Sequence, residues 1–357
     1  MKKIVALIFI LFLFSCNRQT LNDNFVQIEG KTQGTTYHVN YIEKNAITYE
    51  KEIDSILKVI DNSLSTYIPS SLISGFNSSD TGCKIDEHIL KVFWKSCEIH
   101  HYSNGAFDPT VKPLINFWGF GTEKINVIES IDKNLLDSIL QFVGLEKVKL
   151  YEKTHDTIYK YMSEKEFPAG EYYLLKKNRA VQLDFNAIAQ GYTVDVISEF
   201  LESKGVENYL VEIGGELRVR GKNPKGEYWK IGIDQPSDES KLDRPLQAII
   251  TLKNSSIATS GNYRKFYVKD GIKYSHTIDP KTGFPVQQNL LSVTVLTVDC
   301  MSADGYATAL MAMGLEKAKQ LLYANDFLQA YMIFSNENKE WETFMTSRMK
   351  DMIEEKK

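Results

Sequence analysis

Four short stretches of this 357-residue chain combine residue types that could do chemistry. In Ser302-Ala-Asp304-Gly-Tyr-Ala-Thr308, a carboxylate and a hydroxyl stand four positions apart, so on a helix they share one face. Their oxygens are hard donors, suited to Mg²⁺ or Ca²⁺ rather than zinc. The plainer alternative is that Asp304 only complements a helix dipole. His276, which opens His276-Thr-Ile-Asp279-Pro-Lys-Thr-Gly283, is the one histidine in a polar, glycine-punctuated setting. Such a histidine is a candidate general acid or base near neutral pH, while Asp279 also suits a simple turn. Just upstream, Ala258-Thr-Ser-Gly-Asn-Tyr-Arg264 offers hydroxyls and a guanidinium for anion contact.

The other two stretches are rich in glycine or small residues. Leu183-Asp184-Phe-Asn-Ala187-Ile-Ala-Gln190-Gly191-Tyr192 leads into a helical pattern, where free backbone N–H groups could hold phosphate. It is neither a Walker loop nor a GxGxxG fingerprint, and ordinary capping explains it equally well. Ser103 to Val111, followed by Phe117-Trp-Gly-Phe-Gly121, sets aromatics beside glycines. That combination suits a planar ring system, and it also suits a turn-rich loop over a core.

The elements that must position these residues follow from periodicity. Apolar spacing predicts helices over 51–64, 86–102 and 132–143, another from 192 to a stop at Gly205, and one over 303–313 between Ser302 and Gly314. Residues 25–42 alternate around Gly34 and read as a strand pair. Residues 209–213 and 216–220 flank Gly214-Gly215, a two-residue hairpin signal. Further strands are expected at 228–233, 246–252, 265–268 and 291–298, with a helix and strand pair in 316–348. Residues 149–183 mix strand signals with a charged stretch at 160–171, and 103–121 read as loop. Helices and strands intermix without regular βαβ alternation. The expected fold is α+β: one large mixed domain, residues 25–350, with antiparallel-rich sheets flanked by helices.

Bulk composition narrows the partners. Charged residues are 25% of the chain and the formal net charge is −4, too balanced for nucleic-acid binding by bulk electrostatics. The first residues behave differently. Lys2 and Lys3, an apolar run from Ile4 to Phe14 and then Ser15-Cys16 describe a secretory signal, too short to span a bilayer. Leu13-Phe-Ser-Cys16 is similar to a bacterial lipobox. The expectation is a signal peptide at 1–15, a lipid-modified Cys16 and a polar tether at 16–24, which would place an exported lipoprotein on a bacterial membrane, facing the periplasm or the cell exterior. Cys83, Cys97 and Cys300 remain, an odd number that excludes full pairing within one chain; a Cys83–Cys97 bridge stays open. No CxxC or Cys/His ligand pattern occurs, and His100-His101 reads as a helix-end pair.

Together and in order, these stretches resemble the ApbE family of FAD:protein FMN transferases, flavin-transferring lipoproteins. The match runs from Gly34-Thr-Thr36 through Gly314 and includes Leu64-Ser-Thr-Tyr67, Ser70 to Asn77 and Val211-Glu-Ile-Gly-Gly-Glu216. The resemblance implies FAD as substrate in a cleft lined by Gln33, Tyr67, Ala106, Phe107, Asp108, Asp184, Gln190 and the backbone near Ile278. It implies Mg²⁺ on the main-chain oxygen of Ala187 and the side chains of Asp304 and Thr308. Two positions depart from the family: Gln33 stands where Met is frequent, and Gln190 where Lys is frequent. The implied reaction moves FMN onto a Thr or Ser hydroxyl of a partner protein, a membrane redox complex subunit by resemblance, and releases AMP, with His276 as candidate base. FAD pyrophosphatase activity and non-catalytic FAD binding are the rival readings.

Overall fold

The computed structural model describes residues 24–121, 132–153, 156–159, 167, 169–236, 245–262, 266–269 and 272–355. Among these, eight strands form one antiparallel sheet whose spatial order is also the chain order. They are Phe25–Thr32, Thr35–Ile42, Asn208–Ile213, Glu216–Arg220, Ser255–Gly261, Leu290–Thr297, Gln329–Ser335 and Trp341–Met345. The two expected hairpins sit within it. Thr32 pairs with Thr35 across the Gln33-Gly34 turn, and Ile213 pairs with Glu216 across Gly214-Gly215. Both glycines of the second turn have positive φ, as a tight two-residue hairpin requires. Strand Ser255–Gly261 was not expected from the sequence, because its Ser, Thr and Gly content carries little strand signal.

Helices cover one face of this sheet. Ala189–Ser203 packs on the strands around Asn208–Arg220, and Cys300–Met313 packs on Ser255–Gly261 and Leu290–Thr297. Glu87–Tyr102 lies against the Cys300–Met313 helix, and Glu50–Leu64 against Ala189–Ser203. The opposite face buries Leu217, Val219, Ile257, Tyr331 and Ile333 against Trp229, Ala248, Ile250 and Met349. Those last residues belong largely to a three-stranded sheet of Trp229–Asp234, Leu246–Leu252 and Ile353–Glu355, so the packed chain continues past residue 350. A four-stranded antiparallel sheet of Gly82–Lys84, Tyr172–Lys176, Val148–Glu152 and Thr157–Tyr159 packs beside the helices. The architecture is the mixed α+β domain expected, antiparallel throughout its described pairings.

Three local expectations need correction. The 103–121 stretch is not all loop: Asp108 caps a 3-10 turn, Pro109–Val111, that runs into a short helix, Lys112–Phe117. The helix expected over 303–313 starts at Cys300 with Asp299 as its cap, so Ser302 lies inside the first turn. A carboxylate caps as well as a hydroxyl does, and here it accepts from Ser302 N at 2.8 Å. The Gly191 helix starts at Ala189, earlier than the expected Tyr192. Cys83, Cys97 and Cys300 are free thiols, so no Cys83–Cys97 bridge forms. Cys16, the tether up to Asp23 and most of the charged 160–171 stretch lie outside the described residues. No helix among the described residues is long and apolar enough to cross a membrane.

Candidate functional site

One cavity of about 450 Å³ opens where the helices, the 103–121 segment and the main sheet meet. Its wall contains Gln33, Tyr67, Ala106, Phe107, Asp108 and Asp184. It also contains Ala187, Gln190, His276, Ile278, Asp304 and Thr308. Every described residue expected at a site from the sequence therefore lies on this one surface, although the segments are scattered over almost the whole domain. Arg264 and Tyr263 fall outside the described residues.

Two packed helices set the floor. Asp304 sits on the Cys300–Met313 helix, and its Oδ2 accepts from Gly191 N on the Ala189–Ser203 helix at 3.0 Å. That second helix has no side-chain cap of its own, so Asp304 takes up one of its free N-terminal N–H groups. A Cβ at Gly191 would stand 2.3 Å from Cys300 O and 2.8 Å from Asp304 Cβ, so only glycine permits this approach. One turn along the Ala189–Ser203 helix, Asp195 accepts from Cys300 N at 2.9 Å and Met301 N at 2.8 Å. Each helix thus caps its neighbour's N-terminus.

Burial raises the Asp304 carboxyl to about 7, countered only by the Gly191 N–H. Among the described residues, Gly191 N is the hydrogen-bond partner recorded for this carboxylate. Asp304 lies beyond the first turn of its own helix, so it does not serve that helix's dipole. Thr308 follows one turn later on the same wall. Carboxylate, hydroxyl and the nearby Ala187 carbonyl make an oxygen-only donor set, which fits a hard divalent cation. No cluster of three or more His, Cys, Asp or Glu side chains converges among the described residues, so substrate oxygens would have to complete such a site.

The opposite wall rests on two further carboxylates. Asp108 accepts from Thr110 N at 2.8 Å and Thr110 Oγ1 at 2.6 Å, with His100 Nδ1 3.5 Å away. Burial pushes its carboxyl up, while the Thr110 bonds and His100 pull it back. Asp184 accepts from Asn186 N at 2.8 Å and faces Lys112 Nζ at 3.8 Å. Its burial raises the carboxyl, and Lys112 opposes the rise. Asn77 holds Leu183 in place through both backbone groups, with its Nδ2 donating to Leu183 O at 2.9 Å and Leu183 N donating to its Oδ1 at 2.7 Å.

The remaining residues shape the opening. Tyr67 is 63% exposed, and burial followed by the charge of Asp184 raises its hydroxyl. Gln33, in the left-handed region at φ 49°, donates through Nε2 to Thr193 Oγ1 at 2.8 Å. His276 meets the Phe120 ring edge-on at 6.4 Å between centroids. Asp279 shapes its loop as expected, accepting from Lys281 N and Thr282 Oγ1. Asn186, Thr259, Ser260 and Thr277, within the stretches singled out above, also line this wall; no site role was expected of Glu216 on it or of Lys112 behind it. Glu216 carried a signal, since it ends the Gly-Gly hairpin already singled out.

A model of the ApbE family matches residues 33–332. The FAD:protein FMN transferase of Vibrio cholerae is 38% identical over 328 residues, 90% of this chain and 90% of its own. The protein of the same name from Haemophilus influenzae is 35% identical over 344 residues, 94% of this chain and 93% of its own. Among solved structures, the flavin transferase ApbE from Vibrio cholerae is similar with a TM-score of 0.77 and 35% identity, covering 92% of this chain and 99% of that one. A flavinyl transferase ApbE from Pseudomonas stutzeri gives a TM-score of 0.77 at 31% identity, covering 92% and 97%. This chain belongs to the ApbE family.

Proposed function

We propose that this chain transfers FMN from FAD to a Thr or Ser hydroxyl of an acceptor protein and releases AMP. One observation carries the reading: segments spread from Gln33 to Thr308 converge on a single cavity. Relatives that match along nine-tenths of the chain are named FAD:protein FMN transferases, which supports the substrate assignment.

In this reading, Ala187, Asp304 and Thr308 would hold Mg²⁺ by oxygen donors. Bound there, the ion supplies charge neutralisation for the FAD pyrophosphate. The protein's own groups do the rest. The acceptor hydroxyl attacks the FMN phosphorus, a new P–O ester forms, and the P–O bond to AMP breaks. His276 takes the hydroxyl proton on its imidazole, which then returns it to solvent or to the departing phosphate. Phe107 and Tyr67 offer flat surface to the ring systems. Gly191 keeps the two helices close enough for Asp304 to stay on the cavity wall.

The setting is part of the proposal. Cys16 is the lipid-modified residue that follows a cleaved signal peptide, the enzyme works on the outer side of a bacterial membrane, and its acceptor belongs to a membrane redox complex. Mass spectrometry of membrane-extracted protein should find an acylated Cys16 at its N-terminus, and a Cys16→Ser variant should leave the membrane fraction.

Incubating purified protein with FAD, Mg²⁺ and a flavin-acceptor domain tests the reaction. Covalent FMN on the domain with one AMP per label is the expected result. Free FMN without label would make this an FAD pyrophosphatase, and tight FAD binding without turnover would make it a carrier. In the same assay, His276→Ala should lower transfer by about a hundredfold. An unchanged rate across roughly pH 6 to 9 would remove His276 from the mechanism.

A further inference from the structure

The cavity wall carries Asp108, Asp184, Glu216 and Asp304, and among its described residues there is no lysine or arginine. A pocket for a pyrophosphate-bearing substrate is thus lined by groups of the same sign, and Gln190 adds no charge. One buried cation stands directly behind this wall. Lys112 Nζ lies 3.8 Å from Asp184 Oδ2, with side-chain exposures of only 8% and 5%. The sequence places it four residues after Asp108, at the start of a helix that Pro113 can enter without losing a needed N–H.

We infer that Lys112 is a positioning residue for FAD binding: it cancels the charge of Asp184, so that this carboxylate orients substrate without repelling its phosphates. The inference rests on the proposed FAD chemistry and adds a residue to it. Other groups around Asp184 cannot take over the role. Asn186 donates neutral hydrogen bonds to it, and the Tyr67 hydroxyl is uncharged at neutral pH with its ionisation further disfavoured. Two charges buried together at this distance interact several times more strongly than in water. Removing the cation alone leaves an uncompensated carboxylate facing the ligand.

FAD affinity, measured by quenching of flavin fluorescence, tests this with three variants. Lys112→Met should weaken FAD binding by about tenfold to a hundredfold. Lys112→Arg should bind within a few-fold of wild type, since the charge remains. The double variant Lys112→Met/Asp184→Asn should recover much of the affinity lost by Lys112→Met, because the unbalanced charge is gone. A purely structural lysine would shift the thermal midpoint while leaving the affinity of the folded fraction intact. That outcome overturns the inference, as does a double variant no better than Lys112→Met. Should Lys112→Met not fold, a double variant that folds but binds FAD more weakly than Asp184→Asn alone overturns it. Wild-type protein that does not bind FAD would defeat the proposed function itself, a separate and visible failure.

Discussion

Asp195 and Asp304 hold reciprocal places on one pair of packed helices, each accepting from N–H groups at the start of the other helix, yet their surroundings differ. Asp195 uses both oxygens on Cys300 N and Met301 N and also meets Arg218 Nη1 at 3.0 Å. Asp304 receives one N–H, from Gly191, and otherwise faces the cavity. Burial raises both carboxyls, to about 6 and about 7 respectively. The same capping device meets three donors at Asp195 and one at Asp304 among the described residues. A buried carboxylate with a single donor is costly, and its place on the cavity wall fits the cation site proposed above.

That contrast can be broken experimentally. Asp195→Ala should cost the most stability, about 3–5 kcal/mol, because it leaves two helix N–H groups without their acceptor and Arg218 with Glu202 alone. Urea unfolding would show it, while folded protein keeps its turnover. Asp304→Asn should do the reverse, lowering FMN transfer by about a hundredfold, or about 2.7 kcal/mol, without lowering the urea midpoint. If the two variants affected stability and turnover alike, the contrast would be false. Gly191→Ala should cost about 1–3 kcal/mol and also reduce transfer, since a Cβ against Cys300 O must part the helices.

A further test lies in pH dependence. Both folded carboxyls titrate above the unfolded value of 3.8. A raised acid binds its proton more tightly in the folded state, so its stabilising contribution is full below that value and fades as pH rises through the folded one. Metal-free wild type should therefore lose stability relative to Asp195→Asn from near 3.8 up to about 6. Relative to Asp304→Asn, the decline should continue to about 7. Parallel curves for the two variants would contradict the assigned surroundings.

The sequence was legible where structure is local. The Gly214-Gly215 turn and the Glu50–Leu64 helix follow from nearby residues alone. So does the shared face of Asp304 and Thr308, a matter of helical spacing. What sequence could not display is pairing across distance. The start of the Ala189–Ser203 helix depends on a carboxylate more than a hundred positions away, so local cap signals missed it. Lys112 is similar. In sequence it is one basic residue before a proline, and only folding brings Asp184 beside it. Strand Ser255–Gly261 is held by its neighbours on both sides, which outweigh the weak propensity of Ser, Thr and Gly.

The pairing of Ile353–Glu355 with Leu246–Leu252 has a consequence for how the molecule is made. During synthesis the main sheet can add strands in the order they emerge, each beside its predecessor in the sheet. The three-stranded sheet cannot close that way. Its Leu246–Leu252 strand must wait, with one edge unpaired, until Ile353–Glu355 has left the ribosome. Until then Ala248, Ile250 and the pocket for Met349 remain a sticky surface on the nascent chain. Shortening the chain before residue 353 should therefore show first as aggregation during expression, ahead of any loss at the distant cavity.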